Sequence, residues 1–160
     1  MDKKLYVSPI GTIRSTQAGA CLEIAPEYRR ALLGLEGFGS VQVLWWFSGC
    51  DDPASRAGRE ERSPYARGPE VLGTFATRSP CRPNPIALSC AGVTYLDLER
   101  GLVGLDYVDG AEGSPVLDIK PYVPSLDRVE RPRVPDWCAH WPACVEDSGE
   151  FDWDREFNPS

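Results

Sequence analysis

Apolar positions in this chain come in short bursts punctuated by proline and glycine, not in long helical repeats. The densest burst, Val41-Gln42-Val43-Leu44-Trp45-Trp46-Phe47, is rich in β-branched and aromatic residues and reads as a buried strand. A first strand is predicted over Leu5 to Ile13 with a break at Ser8-Pro9, and a short second one over Cys21 to Ile24. Others are predicted at about 71–76, 86–96, 102–108 and 115–122, with turn signals at Glu99-Arg100-Gly101 and Asp109-Gly110. One helix is predicted, over Pro26 to Leu35. Pro26 suits a first helical turn, Tyr28, Leu32, Leu33 and Leu35 give an apolar face, and Gly37 ends it. Many short strands with a single helix predict a mainly β, antiparallel domain.

Two stretches break this rhythm. Asp51 to Pro69 is polar, carries arginines at 56, 59, 62 and 67, and is predicted to be a long surface loop of the kind that usually serves a function. Beyond Val123, prolines recur at 124, 132, 135 and 142 and no periodicity persists. The organisation expected is a body over residues 1–127 and an extended, proline- and acid-rich tail over 128–160. Trp137, Trp141 and Trp153 of that tail are expected to pack on the body or on a second subunit.

Composition narrows the class. With 160 residues and 42% hydrophobic content the chain can build one domain around one core. No apolar run approaches twenty residues and no signal pattern follows Met1, so a cytoplasmic protein is expected, with no membrane span. The six cysteines are scattered and are expected to be reduced thiols. The net charge of −7 argues against nucleic acid until its distribution is considered. Seven acids and one arginine lie between Asp136 and Ser160, which leaves the rest of the chain nearly neutral. Between Arg56 and Arg82 six arginines face three glutamates. That basic region could meet phosphates, or could be a solvated loop.

Candidate chemistry concentrates in two places. Phe75-Ala76-Thr77-Arg78-Ser79-Pro80-Cys81-Arg82-Pro83-Asn84-Pro85-Ile86 follows an apolar run and is stiffened by prolines at 80, 83 and 85. Each proline holds the residue before it in an extended conformation, so Ser79, Arg82 and Asn84 sit on a rigid platform. In the second place, Pro115 to Tyr122, strand alternation sets Leu117, Ile119 and Pro121 on one face and Asp118, Lys120 and Tyr122 on the other. A carboxylate, an amine and a phenol in line can be a surface stripe, an ion pair, or the lining of a pocket. Cys138, His140 and Cys144 also lie close in sequence, but their spacing fits no standard zinc pattern and no metal is expected.

Phe75 to Ser89 is similar to the Phe-Ala-Thr-Arg-Ser-Pro-x-Arg-Pro-Asn-Pro-Ile-Gly-Leu-Ser signature of the TrmO-like family, also called TsaA-like or YaeB-like, with Ala87 in place of glycine. Asp109-Gly110 and Pro115 to Tyr122 resemble its second signature, interrupted by an insertion before Pro115. Ser48 stands where family members often have histidine. The resemblance runs from about Ile10 to Asp127 and implies a single-sheeted β-barrel that dimerises. It also implies an S-adenosylmethionine-dependent methyltransferase that modifies the exocyclic amine of threonylcarbamoyl-adenosine beside the tRNA anticodon. By motif, Phe75, Ala76, Thr77, Arg78, Ser79 and Pro80 with Asp118 and Lys120 would hold the cofactor. Arg82 and Asn84 would contact the substrate nucleotide, and Asp118, Lys120 and Tyr122 would be the catalytic group. A methyltransferase for a small molecule, or a non-enzymatic cofactor- or metal-binding module, are the alternatives.

Overall fold

The structure is a computed structural model describing residues 4–158. Six antiparallel strands close into a barrel. They are β1 (Gly11–Thr16), β2 (Gly19–Ile24), β3 (Ser40–Trp46), β6 (Ile86–Asp97), β7 (Leu102–Leu105) and β8 (Pro115–Pro121). The order around the barrel is β1-β2-β7-β6-β3-β8, with β8 returning to β1. Strands β4 (Glu60–Arg62) and β5 (Val71–Gly73) form a separate two-stranded sheet outside it. Alternation dictates the filling: Val41, Val43 and Trp45 of β3 point inward against Ile13, Leu22, Val103, Leu105 and Val116, all buried. Each such side chain contributes about 1.5–3 kcal/mol through burial. The Trp45 indole N–H donates to the Ser89 hydroxyl at 2.9 Å, so the largest core residue leaves no unpaired donor.

The mainly β, antiparallel structure expected from the pattern and the barrel that the resemblance implies are both present, with local corrections. Leu5 to Val7 form no strand, and β1 begins only at Gly11. The helix is a 3-10 segment over Pro26–Leu32 and stops short of Leu35. Leu32 is buried and Tyr28 and Leu35 pack on the core, but Leu33 is exposed, so too few apolar positions face inward to sustain an α-helix. The strand expected at 71–76 is β5 alone, followed by a 3-10 turn over Thr74–Ala76. The polar loop is partly ordered: Asp52 caps the short helix α1 (Pro53–Arg56) through the amides of Ala54 and Ser55, and Glu60–Arg62 supply the partner that β5 needs.

The insertion before Pro115 completes the barrel. Strands β1 and β8 share only two paired positions, Gly11 with Val116 and Thr12 with Pro115. The insertion extends that seam, since the Gly113 amide donates to the Ile13 carbonyl at 2.8 Å and the Ile13 amide to the Ser114 carbonyl at 2.9 Å. Glu112 accepts from the Ser15 amide and pairs with Arg14, and these two contacts hold its carboxyl below the usual carboxylate range.

The tail is compact. Three short 3-10 turns, Asp136–Cys138, Ser148–Glu150 and Trp153–Arg155, gather Trp137, Trp141, Phe151, Trp153 and Phe157 into one aromatic cluster. It packs on the chain's own loop after β4, where Tyr65 meets Trp137, Trp141 and Phe157. The expected packing on the body is therefore observed, without the extended conformation. Proline fixes isolated φ angles, but the aromatic side chains supply apolar area enough to fold the segment on itself.

Candidate active site

The two signatures meet on the outer face of β6, β3 and β8. Register sets Leu88 of β6 beside Leu44 of β3, and Leu44 beside Asp118 of β8. Residues two strands apart lie about 10 Å from one another, so the first signature's strand and the second signature's carboxylate flank a single surface. The Arg78 guanidinium donates to the Leu88 carbonyl at 3.2 Å and places its charge on that surface. Ile86, Leu88 and Phe75 leave apolar area exposed around it.

The proline platform is held from within. Thr77 is buried, and its hydroxyl donates to the Glu61 carboxylate at 2.7 Å. The Ser79 amide in turn donates to the Thr77 hydroxyl at 3.3 Å. Arg82 turns inward, one terminal nitrogen donating to the Thr77 carbonyl at 3.2 Å and to the Ser79 carbonyl at 3.1 Å. It acts as a strut of the loop, so the two arginines are not presented alike: Arg78 faces out and Arg82 faces in. Asn84 is exposed, and its side-chain oxygen accepts from Arg56 at 3.4 Å. Arg56 also lies over the Trp46 ring, 5.8 Å from its centre.

On β8, Lys120 and Asp118 form an ion pair of 2.7 Å, and the other Asp118 oxygen accepts the Ile119 amide at 2.9 Å. The hydrogen bond and charge of Asp118 raise the Lys120 pKa above its ordinary value. Both side chains are about half exposed, so the pair organises the surface more than it stabilises the fold. Tyr122 follows on the same face, beside the start of β3, with its amide bonded to the Ser40 carbonyl. The strict alternation expected for this strand fails at one position. The ladder shifts so that Trp45 pairs with Val116 while Leu44 pairs with Asp118, which leaves Leu117 as an extra, bulged residue. Val116 and Ile119 both reach the core, and Leu117 instead lines an outer groove of about 480 Å³ with Tyr6, Trp46, Ser48 and Pro115.

Sequence reasoning missed two residues. Glu61 was counted only as a charge in a polar loop, yet it holds Thr77; the unpaired run Val71-Leu72-Gly73 was the available signal, because a strand there requires a partner. Tyr65 gave no local signal at all. Cys138, His140 and Cys144 have separate partners: the Pro135 carbonyl, the Glu156 carboxylate at 2.9 Å and the Asp147 carboxylate.

These residues suit S-adenosylmethionine by chemistry. Exposed Phe75, Ile86 and Leu88 offer apolar surface to a base, Arg78 and Lys120 offer cations to a carboxylate, and Asp118 offers an acceptor to an amine or hydroxyl.

Comparison with known proteins points the same way. The chain is 37% identical over 141 residues to an S-adenosyl-L-methionine-binding protein of Archaeoglobus fulgidus, an alignment covering 79% of this chain and 96% of that one. It is 37% identical over 132 residues to the tRNA (adenine(37)-N6)-methyltransferase of Rattus norvegicus, covering 76% of this chain but only 29% of the rat protein. A crystal structure of TrmO from Pseudomonas aeruginosa superposes with a TM-score of 0.62 at 32% identity, over 82% of this chain and 62% of that one. Residues 3–128, which contain both signatures and every barrel strand, match the model of the tRNA-methyltransferase O N-terminal domain, and the chain belongs to that family.

Proposed function

We propose that the protein is an S-adenosylmethionine-dependent methyltransferase whose acceptor is the exocyclic amine of threonylcarbamoyl-adenosine in the anticodon loop of tRNA. The observation that carries this reading is the meeting of Arg78 and the Asp118–Lys120 pair across β6, β3 and β8. Phe75 to Pro80 with Asp118 and Lys120 bind the cofactor, which supplies an electrophilic methyl group. Methyl transfer to nitrogen depends mainly on alignment of donor and acceptor, which a rigid platform favours. Lys120, paired with Asp118 and raised in pKa, stays protonated and acts as a fixed cation, not as a base. Tyr122 or a backbone carbonyl orients the amine, and the proton it releases passes to Asp118, whose carboxylate keeps open lone-pair sites beside its bonds to Lys120 and the Ile119 amide, or to solvent. Asn84, exposed beside Arg56, contacts the substrate nucleotide.

The site is an open surface, whereas small-molecule sites usually bury most of their ligand. A homodimer that covers this face would complete it, and the exposed Phe75, Ile86 and Leu88 suit such contact. We place the protein in the cytoplasm with its tRNA; no helix among the described residues is long and apolar enough to cross a membrane.

The decisive experiment is transfer of labelled methyl from S-adenosylmethionine to tRNA bearing the threonylcarbamoyl group, with Lys120→Ala alongside. Label on the tRNA that falls in the variant supports the reading. The acidic tail beside the loop after β4 favours one second reading, a small acceptor in place of tRNA, because like charges repel phosphate. RNA binding weakens steeply with salt and small-molecule binding does not, so a salt series separates the two.

A further inference from the structure

The tail beyond residue 128 lies outside the stretch matched by the family and is bound to one loop of the body. That loop, Ser63 to Ala66, is gripped along its length. The Ala66 amide donates to the Glu156 carbonyl at 2.9 Å and the Asn158 amide to the Pro64 carbonyl at 3.1 Å. The Asn158 side chain donates to the Ser63 carbonyl at 2.7 Å. Ser63 needs such a grip, since its φ of 45° is a left-handed conformation that a non-glycine residue rarely adopts. Tyr65 is buried under the tail, its ring stacked on Trp137 with centres 5.0 Å apart and planes within 19°.

The gripped loop leads to the platform through the strand before it. Strand β4, immediately before it, carries Glu61, which holds the Thr77 hydroxyl. Thr77 and Arg78 lie at the centre of the stretch assigned to the cofactor.

We infer that the C-terminal extension is a positioning element for the cofactor loop, acting through the Ser63–Ala66 loop and Glu61 of β4, with the stack of Trp137 on Tyr65 as the contact that fixes that loop. The inference rests on the reading of Phe75 to Pro80 as part of an S-adenosylmethionine site. A platform stiffened by prolines still has to be oriented against the barrel, which holds it by the Arg78 bond to the Leu88 carbonyl and by the Phe47 amide on the Pro85 carbonyl, while β4 holds Thr77. The extension fixes the loop that follows β4. Tyr65 touches no reacting atom in this scheme, so its loss weakens cofactor affinity through the loop's position.

The test compares the full-length protein with Tyr65→Leu, which removes the stacked ring and keeps an apolar side chain, and with Trp137→Ala and Trp137→Phe. Amide hydrogen exchange over residues 74–80 is measured without ligand, and S-adenosylmethionine is titrated by calorimetry. Expected are faster exchange at Thr77 and Arg78 in Tyr65→Leu, with exchange in barrel strand β3 unchanged, and a dissociation constant raised about 5- to 10-fold. Trp137→Ala should show the same and Trp137→Phe should largely restore it. Unchanged exchange over residues 74–80 in folded Tyr65→Leu overturns the inference. So does altered exchange with unaltered affinity while the wild type binds. A wild type that binds no S-adenosylmethionine overturns the reading of the site itself, and this inference with it.

Discussion

Thr77 donates its hydroxyl to the Glu61 carboxylate at 2.7 Å, and this bond ties the small β4–β5 sheet to the middle of the proline-rich loop. Removing the hydroxyl by Thr77→Val leaves Glu61 without that donor and the Ser79 amide without its acceptor. A loss of about 1–3 kcal/mol is expected, the usual cost of leaving a buried or half-buried polar partner unmatched. Denaturant unfolding of the variant measures it.

Arg78 and Arg82 should behave as opposites although they are four residues apart in one motif. Measured without cofactor, when its charge has no carboxylate to meet, Arg78→Ala removes an outward cation and should lower the salt dependence of RNA binding by about one phosphate contact. Arg82→Ala removes an inward strut and should leave that slope unchanged while weakening cofactor binding. Equal salt slopes for the two variants would contradict these roles.

Lys120 gives a prediction in alkaline solution. Its pKa is raised in the folded state by Asp118, so whatever stability the pair contributes is fully present below the ordinary lysine value of 10.5 and is lost as pH rises through the raised value. Asp118→Asn should return the Lys120 titration, followed by NMR, toward 10.5. Methyl transfer should show no basic limb from Lys120 below pH 9.

Glu156 gives the acidic counterpart. It is buried, accepts from the Trp141 indole at 3.1 Å and pairs with His140 at 2.9 Å. The His140 and Trp141 hydrogen bonds, with smaller help from the charges of His140 and Arg67, hold its carboxyl below the ordinary 4.5. Its contribution is therefore present above pH 4.5 and is lost as pH falls through the lowered folded value. Glu156→Gln should flatten the fall of the unfolding temperature below pH 4.5.

Gly11→Ala tests the barrel seam. A Cβ at Gly11 would collide with the Glu23 carbonyl of the paired strand, a backbone atom that cannot swing aside. Overpacking of this kind costs about 1–3 kcal/mol. Thermal unfolding should move down by roughly 2–4 °C for each kcal/mol in a domain of this size.

The barrel was legible because its signal is local. Alternating apolar residues in β3 and turn residues such as Gly101 specify strands without reference to anything distant. The candidate site was legible as two signatures but not as one surface, since Leu44 joins them only through the sheet register. The direction of Arg82 was not legible because an arginine in a polar loop carries no mark of which way it turns; the carbonyls of Thr77 and Ser79, five and three residues before it, decide that, and they are fixed only once the loop is folded. The tail's fold depends on Tyr65, more than seventy residues upstream of Trp137, and no window along the sequence contains both.

The extra residue in β8 has an effect on what the protein can offer a ligand. In a regular strand two consecutive side chains never share a face, so a hydrophobic contact and a carboxylate on one side must stand two positions apart. Leu117 and Asp118 escape that spacing, and the inward sequence from Val116 to Ile119 continues as though Leu117 were missing. One inserted amino acid thus turns a hydrophobic side chain and a carboxylate outward from adjacent positions, while the packing beneath them is undisturbed.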